Sequence, residues 1–341
     1  MAEYLITLTP QEPWFFGGER VFKHPDASRP KTKTAGYYIR SQETPSQTTL
    51  FGALRYLMLE QKKQGNWRLS QDDEARIGPV SYDLTGQKQD FGKIKGISPL
   101  YLMDSIGFFY IPAPMDHRDG SSAYRPFTDY KYFETNHGRR CYPVGYDEKR
   151  AFDGGWLRLG RDTVTIHTDL FESVEQVGVN LDASQDGFFK RECMRFKQNG
   201  FCFAFFAELD LDEPPKDQLV FLGQGRRAFY AACSKQAQPD LKAVFDHNIA
   251  YAQSPVYAED LQALYACCEF ICTKEPVRLR KFMTKYNAPG RFALDKNLLQ
   301  LIPPGGVFRL NDPQEFKRLT ENSQAKTAGF NQMIYGKELS E

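Results

Sequence analysis

The stretch "TPSQTTLFGALRYLM" (residues 44–58) carries the strongest helix signal in the chain. Thr44 is the expected N-cap, Pro45 suits the first helical position, and Gln47 completes a capping box. Gly52 is costly inside a helix, which predicts a sheet packed closely against it. The apolar residues recur at helical spacing and form a single stripe, at Leu50, Ala53, Leu54, Leu57 and Met58.

The residues before this helix predict a strand followed by a glycine loop. The run "YLITLTP" (4–10) is typical of a buried strand that ends at a proline. The loop "FFGGERVF" (15–22) pairs two glycines with an arginine, but far ahead of the helix. A Rossmann fingerprint places its glycines at the helix N-terminus, so that interpretation is excluded here. Three alternatives remain: a tight turn or bulge, a backbone nest for an anion, and a platform for an extended RNA strand.

Charge is balanced over the whole chain but concentrated in two segments. The chain has 341 residues, enough for two domains, and a net charge of +1, which by itself indicates no polyanionic partner. Residues 20–40 contain six cations against one acid, and residues 274–296 contain seven against two. Each segment is either a solvated surface or faces phosphate, with Tyr37 and Tyr38 interleaved in the first. The asymmetry suits one nucleic-acid face, with other faces left for proteins.

Composition argues against several classes of protein. The seven cysteines lack the paired spacing of a zinc site, which predicts buried reduced thiols and no bound metal or cofactor. No apolar run approaches the ~20 residues of a membrane helix. The N-terminus lacks the pattern of a signal peptide. We therefore expect a cytoplasmic protein with no membrane partner, and the aromatic content of 14% favours strands and stacking surfaces.

The middle of the chain is harder to assign. The stretch 98–116 looks like strand material, and a polar, aromatic, turn-rich region follows to about residue 155. A further strand is predicted over 163–171. Residues 187–210 predict a hairpin around Asn199-Gly200, because this dipeptide is a strong turn signal.

A second glycine loop follows a predicted strand, in "LVFLGQGRRAFYAAC" (219–233). It also reads as GxGxxA, with Asp246 further along, which are pieces of a dinucleotide fingerprint. However, Pro239 interrupts the helix that this fingerprint needs, and the chain offers no βα alternation. A third loop, "AKTAGFNQMIYG" (325–336), leads through Gly329 into a short terminal strand.

Together these motifs resemble the RAMP superfamily of CRISPR proteins (repeat-associated mysterious proteins), specifically the third subunit of the type III-B Cmr effector. The resemblance spans about residues 9–336 and rests on the order of several individually weak motifs. In one departure, Gln224 separates two glycines that the family usually has adjacent, and the acid before the arginine is missing. This puts close backbone approach to RNA at Gln224 in doubt. The motifs are "PSQTTLFGALR" (45–55), "GGWLRLG" (154–160), "FESVEQVGVNLD" (171–182), "DGFFKRECMRF" (186–196), "FLGQGRR" (221–227) and "AGFNQ" (328–332).

The resemblance implies an α+β fold with two ferredoxin-like (βαββαβ, RRM-like) domains, glycine-rich loops and a long inserted hairpin region. We place the domains at 1–235 and 236–341. It implies a non-catalytic subunit that caps the 5′ handle of the guide crRNA and anchors the large signalling, polymerase-like subunit in antiviral defence. Repeating backbone RAMP subunits are further implied partners, with target RNA near a thumb-like hairpin within about 118–155.

The resemblance also implies RNA contacts in the loops, since single-stranded RNA is recognised through backbone contacts and stacking aromatics. Two alternatives stay open: a RAMP endoribonuclease processing guide RNA, and a dinucleotide-binding enzyme using the Gly223–Gly225 loop. A ribonuclease needs a general base, and of the five histidines (24, 117, 137, 167 and 247) His24 is the best placed. The expected RNA-binding residues are Gly17, Gly18, Arg20, Lys23, Tyr37, Arg55, Lys131, Gly223, Gly225, Arg226, Arg227, Gly329 and Asn331.

Overall fold

The computed structural model describes residues 2–22, 37–59, 69–79, 84, 89–118, 122–136, 138–147, 151–161, 163–180, 187–239, 248–280, 284–288, 291–294 and 298–336. The helices in these ranges are α1 Gln47–Leu57, α2 Gln71–Ile77, α3 His167–Leu170, α4 Leu261–Ala266, α5 Pro313–Thr320 and α6 Ser323–Thr327. The strands in the first half are β1 Ala2–Pro10, β2 Phe16–Phe22, β3 Tyr37–Gln42, β4 Ile94–Ile97, β5 Tyr101–Met103, β6 Phe109–Pro112, β7 Tyr130–Thr135, β8 Gly138–Pro143, β9 Gly155–Arg158, β10 Val164–Ile166 and β11 Phe171–Asn180. The later strands are β12 Gly187–Phe196, β13 Cys202–Leu209, β14 Gln218–Leu222, β15 Arg227–Lys235, β16 Ile249–Ala252, β17 Val256–Tyr257, β18 Cys268–Cys272, β19 Val277–Arg280, β20 Thr284–Ala288, β21 Arg291–Leu294, β22 Leu298–Ile302, β23 Val307–Leu310 and β24 Met333–Tyr335.

A nine-stranded sheet organises the molecule, with the order β10-β9-β6-β5-β13-β1-β15-β14 and β4 also pairing with β13. Side chains alternate along β1, because successive residues of a strand point to opposite faces. Tyr4, Ile6 and Leu8 join one apolar cluster, and Leu5 joins another. The predicted buried strand is therefore confirmed, and both of its faces are covered.

Helix α1 packs its apolar stripe into the first of these clusters, as predicted. Its N-cap is Ser46, whose Oγ accepts a hydrogen bond from Thr49 N at 3.3 Å, so the prediction of Thr44 as N-cap is wrong by two residues. The Gln47 side chain, instead of completing a capping box, donates to the Ser98 carbonyl at 2.8 Å. Gly52 is exposed, and a Cβ added there would meet no atom within 4 Å, so the predicted close packing of a sheet against it is wrong.

The predicted hairpin around Asn199-Gly200 is also wrong. Gly200 does make a turn, with φ +100°. The flanking strands, however, enter different sheets: β13 lies in the central sheet, while β12 lies in a four-stranded sheet of order β11-β12-β3-β2. A turn dipeptide fixes a local reversal of the chain, but it does not determine which strands pair. The predicted strand over 163–171 is likewise divided, since α3 separates β10 from β11.

The chain after residue 248 forms a compact βαββαβ arrangement. Strands β16, β18, β23 and β24 lie in the order β18-β23-β16-β24 and pair antiparallel, with α4 after β16 and α5 and α6 before β24. The N-terminal part shares the beginning of this pattern, because α1 lies between β1 and β13 in the chain and β1 pairs with β13. In place of a second helix, the β14–β15 hairpin follows β13. Sheets with few helices make the fold α+β, as predicted.

Apolar residues from both ends of the sequence share clusters. Phe330 and Leu301 belong to the same cluster as Leu50, and Tyr251 belongs to the same cluster as Leu5. A third cluster lies wholly within 250–335. The boundary between residues 235 and 236 stays a prediction.

All seven cysteines are free; the prediction of buried thiols is confirmed for five of them, whereas Cys233 and Cys272 are half-buried. Burial raises the pKa of Cys202 and of Cys233 to about 12. Separately, no helix in the described ranges is both long enough and apolar enough to cross a membrane.

Candidate nucleic-acid interface

A cleft of about 570 Å³ lies where the start of α1, the edge of β2 and the beginning of β19 come together. It therefore joins the first glycine loop to the start of the second basic segment, although these are more than 250 residues apart in the sequence. Its lining comprises Gly17, residues 42–49, Leu100, Pro112, Ala113, Met115, residues 154–156, His167, residues 253–255, Lys274, Val277, Arg278, Leu301, Pro303, Pro304 and Phe330.

The cleft favours negative charge at two places. The N-terminus of α1 lies in its wall, and the first turn of a helix presents backbone N–H groups and the positive end of the helix dipole. Lys274 and Arg278 are exposed on another part of the lining. Lys274 Nζ lies 3.4 Å from Asp153 Oδ1, a carboxylate exposed to solvent. This arrangement is able to receive a phosphate-bearing chain.

His167 and Glu43 form a pair in the cleft wall, with Nδ1 2.7 Å from Oε2. Gly154 makes room for this pair, because a Cβ at Gly154 would lie 2.7 Å from His167 Nε2 and 3.1 Å from Lys274 Nζ. Its φ of +99° also favours glycine. The sequence analysis named His167 only as one of five candidate bases and placed His24 ahead of it. The adjacent glycines at 154–155 were the available signal.

Trp156 provides a further donor in the wall. Its side chain is buried, and the indole Nε1 has no hydrogen-bond partner among the residues that the structure describes. An indole N–H only donates, and buried donors normally have a partner. This nitrogen is itself buried, so an acceptor on a ligand would reach it only if the wall rearranged.

The first glycine loop lies at the rim of the cleft. Gly17 is exposed, and a Cβ there would meet no atom of the described residues within 4 Å, so packing against them does not require a glycine. A register shift between Gly17 and Arg20 marks a bulge in the β2–β3 pairing, which is one of the predicted alternatives. Gly18 also lies in β2, and Tyr37 begins β3 opposite Phe22. Lys23 and the side chains of Arg20 and Tyr37 lie outside the described residues.

The second glycine loop rests directly on the first. Gln224 N donates to the Phe15 carbonyl at 3.0 Å, and a Cβ at Gly223 would lie only 2.3 Å from that oxygen. Gly223 and Gly225 have φ values of +71° and +86°. The loop is the turn of the antiparallel β14–β15 hairpin. A dinucleotide fingerprint needs a helix after its glycines, so that alternative is wrong.

The two arginines of this loop have different surroundings. Arg226 is exposed with φ +52°, and its guanidinium carbon lies 5.9 Å from the Phe221 ring centroid. Arg227 instead donates from Nη1 to Glu12 Oε2 at 2.7 Å and from Nη2 to the Gln176 side chain. Hydrogen bonds from the backbone of Ala228 and from Arg227 lower the pKa of Glu12. Arg226 alone of the two is directed to solvent.

Three other expected RNA-binding residues contact protein. Arg55 donates from Nε to the Ile77 carbonyl at 3.0 Å, at the end of α2. Gly329 has φ +83°, and a Cβ there would lie 1.9 Å from Gln47 Nε2. Each of these residues stabilises the fold, and any RNA contact by them stays a prediction.

Asn331, the third of these residues, is buried with φ +54°. Its Nδ2 donates to the Tyr257 carbonyl at 2.8 Å and to the Thr320 carbonyl at 2.9 Å, and its Oδ1 accepts from Tyr257 N at 2.7 Å. The side chain thus ties the third glycine loop to β17 and to the end of α5.

A hairpin does lie in the region where a thumb was expected. Strands β7 and β8 pair from Tyr130 with Pro143 to Thr135 with Gly138, and Lys131 is exposed opposite Tyr142. The rings of Tyr132, Phe133 and Tyr142 are all more than 40% exposed, which is unusual for large side chains.

The described residues contain no group of three His, Cys, Asp or Glu side chains close enough to hold a metal ion. His117 is buried, and its Nδ1 accepts from Arg125 N at 3.1 Å. His24, His137 and His247 lie outside the described residues.

Comparison with known proteins agrees with the resemblance in the sequence. A family model described as CRISPR-associated protein (Cas_Cmr3) matches residues 6–256. Two chains from cryo-EM structures of the Type III-B Cmr-beta bound to cognate target RNA, one of them also with AMPPnP, have similar folds. The first has 13% identity and a TM-score of 0.53 over 97% of this chain and 96% of that one. The second has 14% identity and a TM-score of 0.52 over 98% and 96%.

No curated protein sequence matched significantly. At such low identity the structural matches show the fold, whereas the family model shows the family because it covers well over half of the sequence. The chain belongs to the Cas_Cmr3 family of CRISPR-associated proteins.

Proposed function

We propose that the chain is a non-catalytic subunit of a type III-B CRISPR effector that binds and caps the 5′ handle of the guide RNA. Membership of the Cas_Cmr3 family supports this, as does the likeness to chains from the Type III-B Cmr-beta bound to cognate target RNA. The large signalling subunit and the repeating backbone subunits are the proposed protein partners. The proposed setting is antiviral defence in the cytoplasm.

The observation that carries the proposal is the cleft beside the glycine loops. Its wall combines the N-terminus of α1 with two exposed cations, Lys274 and Arg278. Phosphates and base carbonyls are acceptors, so a single strand of RNA matches this set of donors. Gly17 at the rim would let a strand approach the backbone without meeting a side chain.

The two loops define the proposed course of the strand. It would leave the cleft at Gly17 and pass the 223–226 loop, which lies on Phe15 only two residues away. Arg226 would meet a phosphate there, whereas Arg227 is engaged by Glu12. The β7–β8 hairpin would lie near the target RNA. We further infer that both parts of the chain derive from ferredoxin-like domains, the first with its second helix replaced by the β14–β15 hairpin.

A second candidate function, an endoribonuclease, rests on the His167–Glu43 pair in the cleft. The Glu43 carboxylate lies within ion-pair distance of Nδ1, although that nitrogen makes no hydrogen bond within the described part of the chain. Nε2 is then the nitrogen left to act as a base. This candidate places the reacting ribose in the same cleft and differs from the first only in predicting cleavage.

The cleft proposal is tested by replacing both Lys274 and Arg278 with alanine and measuring affinity for handle RNA across a salt titration. Two lost phosphate contacts should lower the slope of log K against log salt by about 1.4. The matched control replaces Lys216 and Lys317, two exposed lysines away from the cleft lining, with alanine. Equal slopes for the two double variants would refute the cleft as the RNA site.

The capping role requires a separate measurement. An effector reconstituted with the chain should protect the 5′ end of its guide from exonuclease and retain the large subunit. An effector that assembles without the chain and still protects that end would contradict capping.

A further inference from the structure

The β7–β8 hairpin is joined to the C-terminal sheet through one carboxylate. Glu269 lies in β18, and its side chain is only 14% exposed. Its Oε1 lies 3.9 Å from Arg139 Nε on the hairpin, and its Oε2 lies 3.4 Å from Arg309 Nε on β23. The carboxylate therefore stands between two guanidinium groups that would otherwise repel each other.

Each of these arginines also lies against a tyrosine of the hairpin. The Arg139 guanidinium carbon is 4.1 Å from the Tyr132 ring centroid, and that of Arg309 is 4.8 Å from the Tyr130 centroid. A cation that lies over an aromatic ring at such a distance is attracted to the ring. Tyr130 in turn packs edge-on against Phe270, the neighbour of Glu269, at 5.9 Å. Rings and charges thus alternate from the hairpin to the sheet.

The strand register places all of these contacts on one face of the hairpin. Side chains alternate between faces along a strand, and residues directly opposite each other share a face. The attached face therefore carries Tyr130, Tyr132 and Arg139, together with the buried Cys141 opposite Tyr132.

The other face has a different character. Lys131 lies opposite Tyr142, and Phe133 lies opposite Arg140, with the two rings 6.1 Å apart. Glu134 lies on the attached face, so the described residues of the free face carry two cations and two exposed rings without a carboxylate. Arg140 is half-buried, and its Nη1 donates to the Arg139 carbonyl at 3.0 Å, so Lys131 and the rings of Phe133 and Tyr142 are the more exposed groups of this face. These groups suit bases and phosphates, whereas the contacts with β18 and β23 lie on the attached face.

We infer that Glu269 is a positioning residue that fixes the β7–β8 hairpin by its tyrosine face and so presents the Lys131–Phe133–Arg140–Tyr142 face to RNA. The part of this inference that concerns RNA rests on the proposed function. Without the carboxylate, two close guanidinium groups lose their counter-charge, and the hairpin separates from β18 and β23 beside its turn, where Arg139 pairs with Glu134. The free face would then sample many orientations, and RNA binding would have to restrict them.

The test uses the full chain and measures amide hydrogen exchange together with affinity for single-stranded handle RNA. Glu269→Gln should speed exchange in β7 and β8 by about tenfold while leaving β1 unchanged, because only the local opening becomes easier. RNA affinity should fall several-fold. The control is Glu315→Gln, which removes a carboxylate that pairs with Arg318 on exposed α5 and should change neither quantity.

A second variant covers the case in which Glu269→Gln unfolds the chain, which faster exchange in β1 would reveal. Arg139→Gln breaks the same network from its more exposed side, where the arginine side chain is 53% exposed. It should reproduce the local change in β7 and β8. Unchanged exchange in the hairpin of a folded variant overturns the positioning role.

A third variant separates this inference from the proposed function. Replacing both Phe133 and Tyr142 with alanine removes the rings of the free face and leaves the Glu269 contacts in place. It should lower RNA affinity at least fivefold, the effect of losing about 1 kcal/mol of stacking, without altering exchange in β7 and β8. Unchanged RNA affinity in this variant would refute RNA contact by the hairpin, even if the hydrogen-exchange result supports the attachment.

Discussion

The backbone N–H of Gln224 donates to the carbonyl oxygen of Phe15 at 3.0 Å, so two glycine loops more than 200 residues apart meet through their backbones. The contact gives the glycines of the two loops different roles. Gly223 is required because its Cα faces the Phe15 carbonyl, whereas Gly17 lies two residues further on with open space around it. A glycine that packing does not require is the better candidate for contact with a ligand.

Substituting these two glycines should separate stability from binding. Gly223→Ala places a Cβ 2.3 Å from the Phe15 oxygen at a φ of +71°, so the free energy of unfolding should fall by about 2–4 kcal/mol. Gly17→Ala meets no atom within 4 Å and should leave the melting temperature within about 2 °C. We expect Gly17→Ala to weaken RNA binding per folded molecule. Thermal unfolding and RNA titration of both variants check this; unaltered affinity in Gly17→Ala would place the RNA elsewhere.

The two neighbouring arginines should also divide into a binding and a structural residue. Arg227→Ala breaks the hydrogen bond to Glu12 and leaves that carboxylate without its guanidinium, which should cost about 1–3 kcal/mol of unfolding free energy. Arg226→Ala removes an exposed cation and should leave stability unchanged, but it should lower the salt slope of RNA binding by about 0.7. Denaturant unfolding and a salt titration measure the two effects. If Arg227→Ala lowered the salt slope and Arg226→Ala lowered the stability, Arg226 would not lie on the proposed RNA path.

Asn331 should behave as a structural residue although it lies in a glycine loop. Asn331→Gly keeps the positive φ of +54° accessible but removes all three side-chain hydrogen bonds. Losing these three buried hydrogen bonds should cost about 2–4 kcal/mol of unfolding free energy. RNA affinity per folded molecule should not change. A variant that is as stable as the wild type but binds RNA more weakly would show that Asn331 contacts RNA.

Asp116 should make the folded state less stable as the pH rises from about 4 to 6, which is opposite to the usual effect of a carboxylate. Burial raises the pKa of this carboxyl to about 6, partly offset by the hydrogen bond from Tyr124 at 2.8 Å. The unfolded pKa is about 4, so between about pH 4 and 6 the folded state binds more protons than the unfolded state. This group's contribution to stability is therefore fully present below about pH 4 and is lost as pH rises through 6.

Asp116→Asn should remove that dependence while still accepting the bond from Tyr124. Unfolding free energies measured from pH 4 to 7 should show the wild-type chain losing about 2–3 kcal/mol relative to this variant. Tyr124→Phe removes a bond that lowers the pKa of Asp116, so it should move the transition to higher pH. Parallel pH profiles for wild type and Asp116→Asn would contradict the assignment.

Local patterns in the sequence correctly predicted the features that depend only on neighbouring residues. The β1 alternation, the apolar stripe of α1 and the buried thiols are each read from a few neighbouring residues, and the structure agrees with them. Pairing between distant strands was beyond this reasoning. The Asn199-Gly200 turn gives a reversal at the right place, but β12 pairs with β11 and β3 because of contacts that the turn does not encode.

The candidate site was harder to predict from the sequence because it too depends on contacts between distant parts of the chain. The glycine loops were located by composition, but their contact through Phe15 depends on how β14 and β15 lie beside β1. Glu43 follows β3, Trp156 lies in β9 and His167 begins α3, and no sequence spacing connects them. Arg55 and Asn331 have residue types that suit RNA, and only the surrounding backbone carbonyls reveal their structural role.

The last prediction concerns catalysis in the cleft. We expect the purified chain to leave repeat RNA and target RNA intact, because the His167–Glu43 pair alone supplies at most one proton acceptor for the RNA 2′-hydroxyl. In this view Glu43 holds His167, and the pair shapes the wall beside Gly154. Incubation of both RNAs with wild type, His167→Ala and Glu43→Gln, followed by gel analysis, should give identical intact bands. Specific cleavage by the wild type that either variant abolishes would make the chain a ribonuclease and would overturn the non-catalytic role.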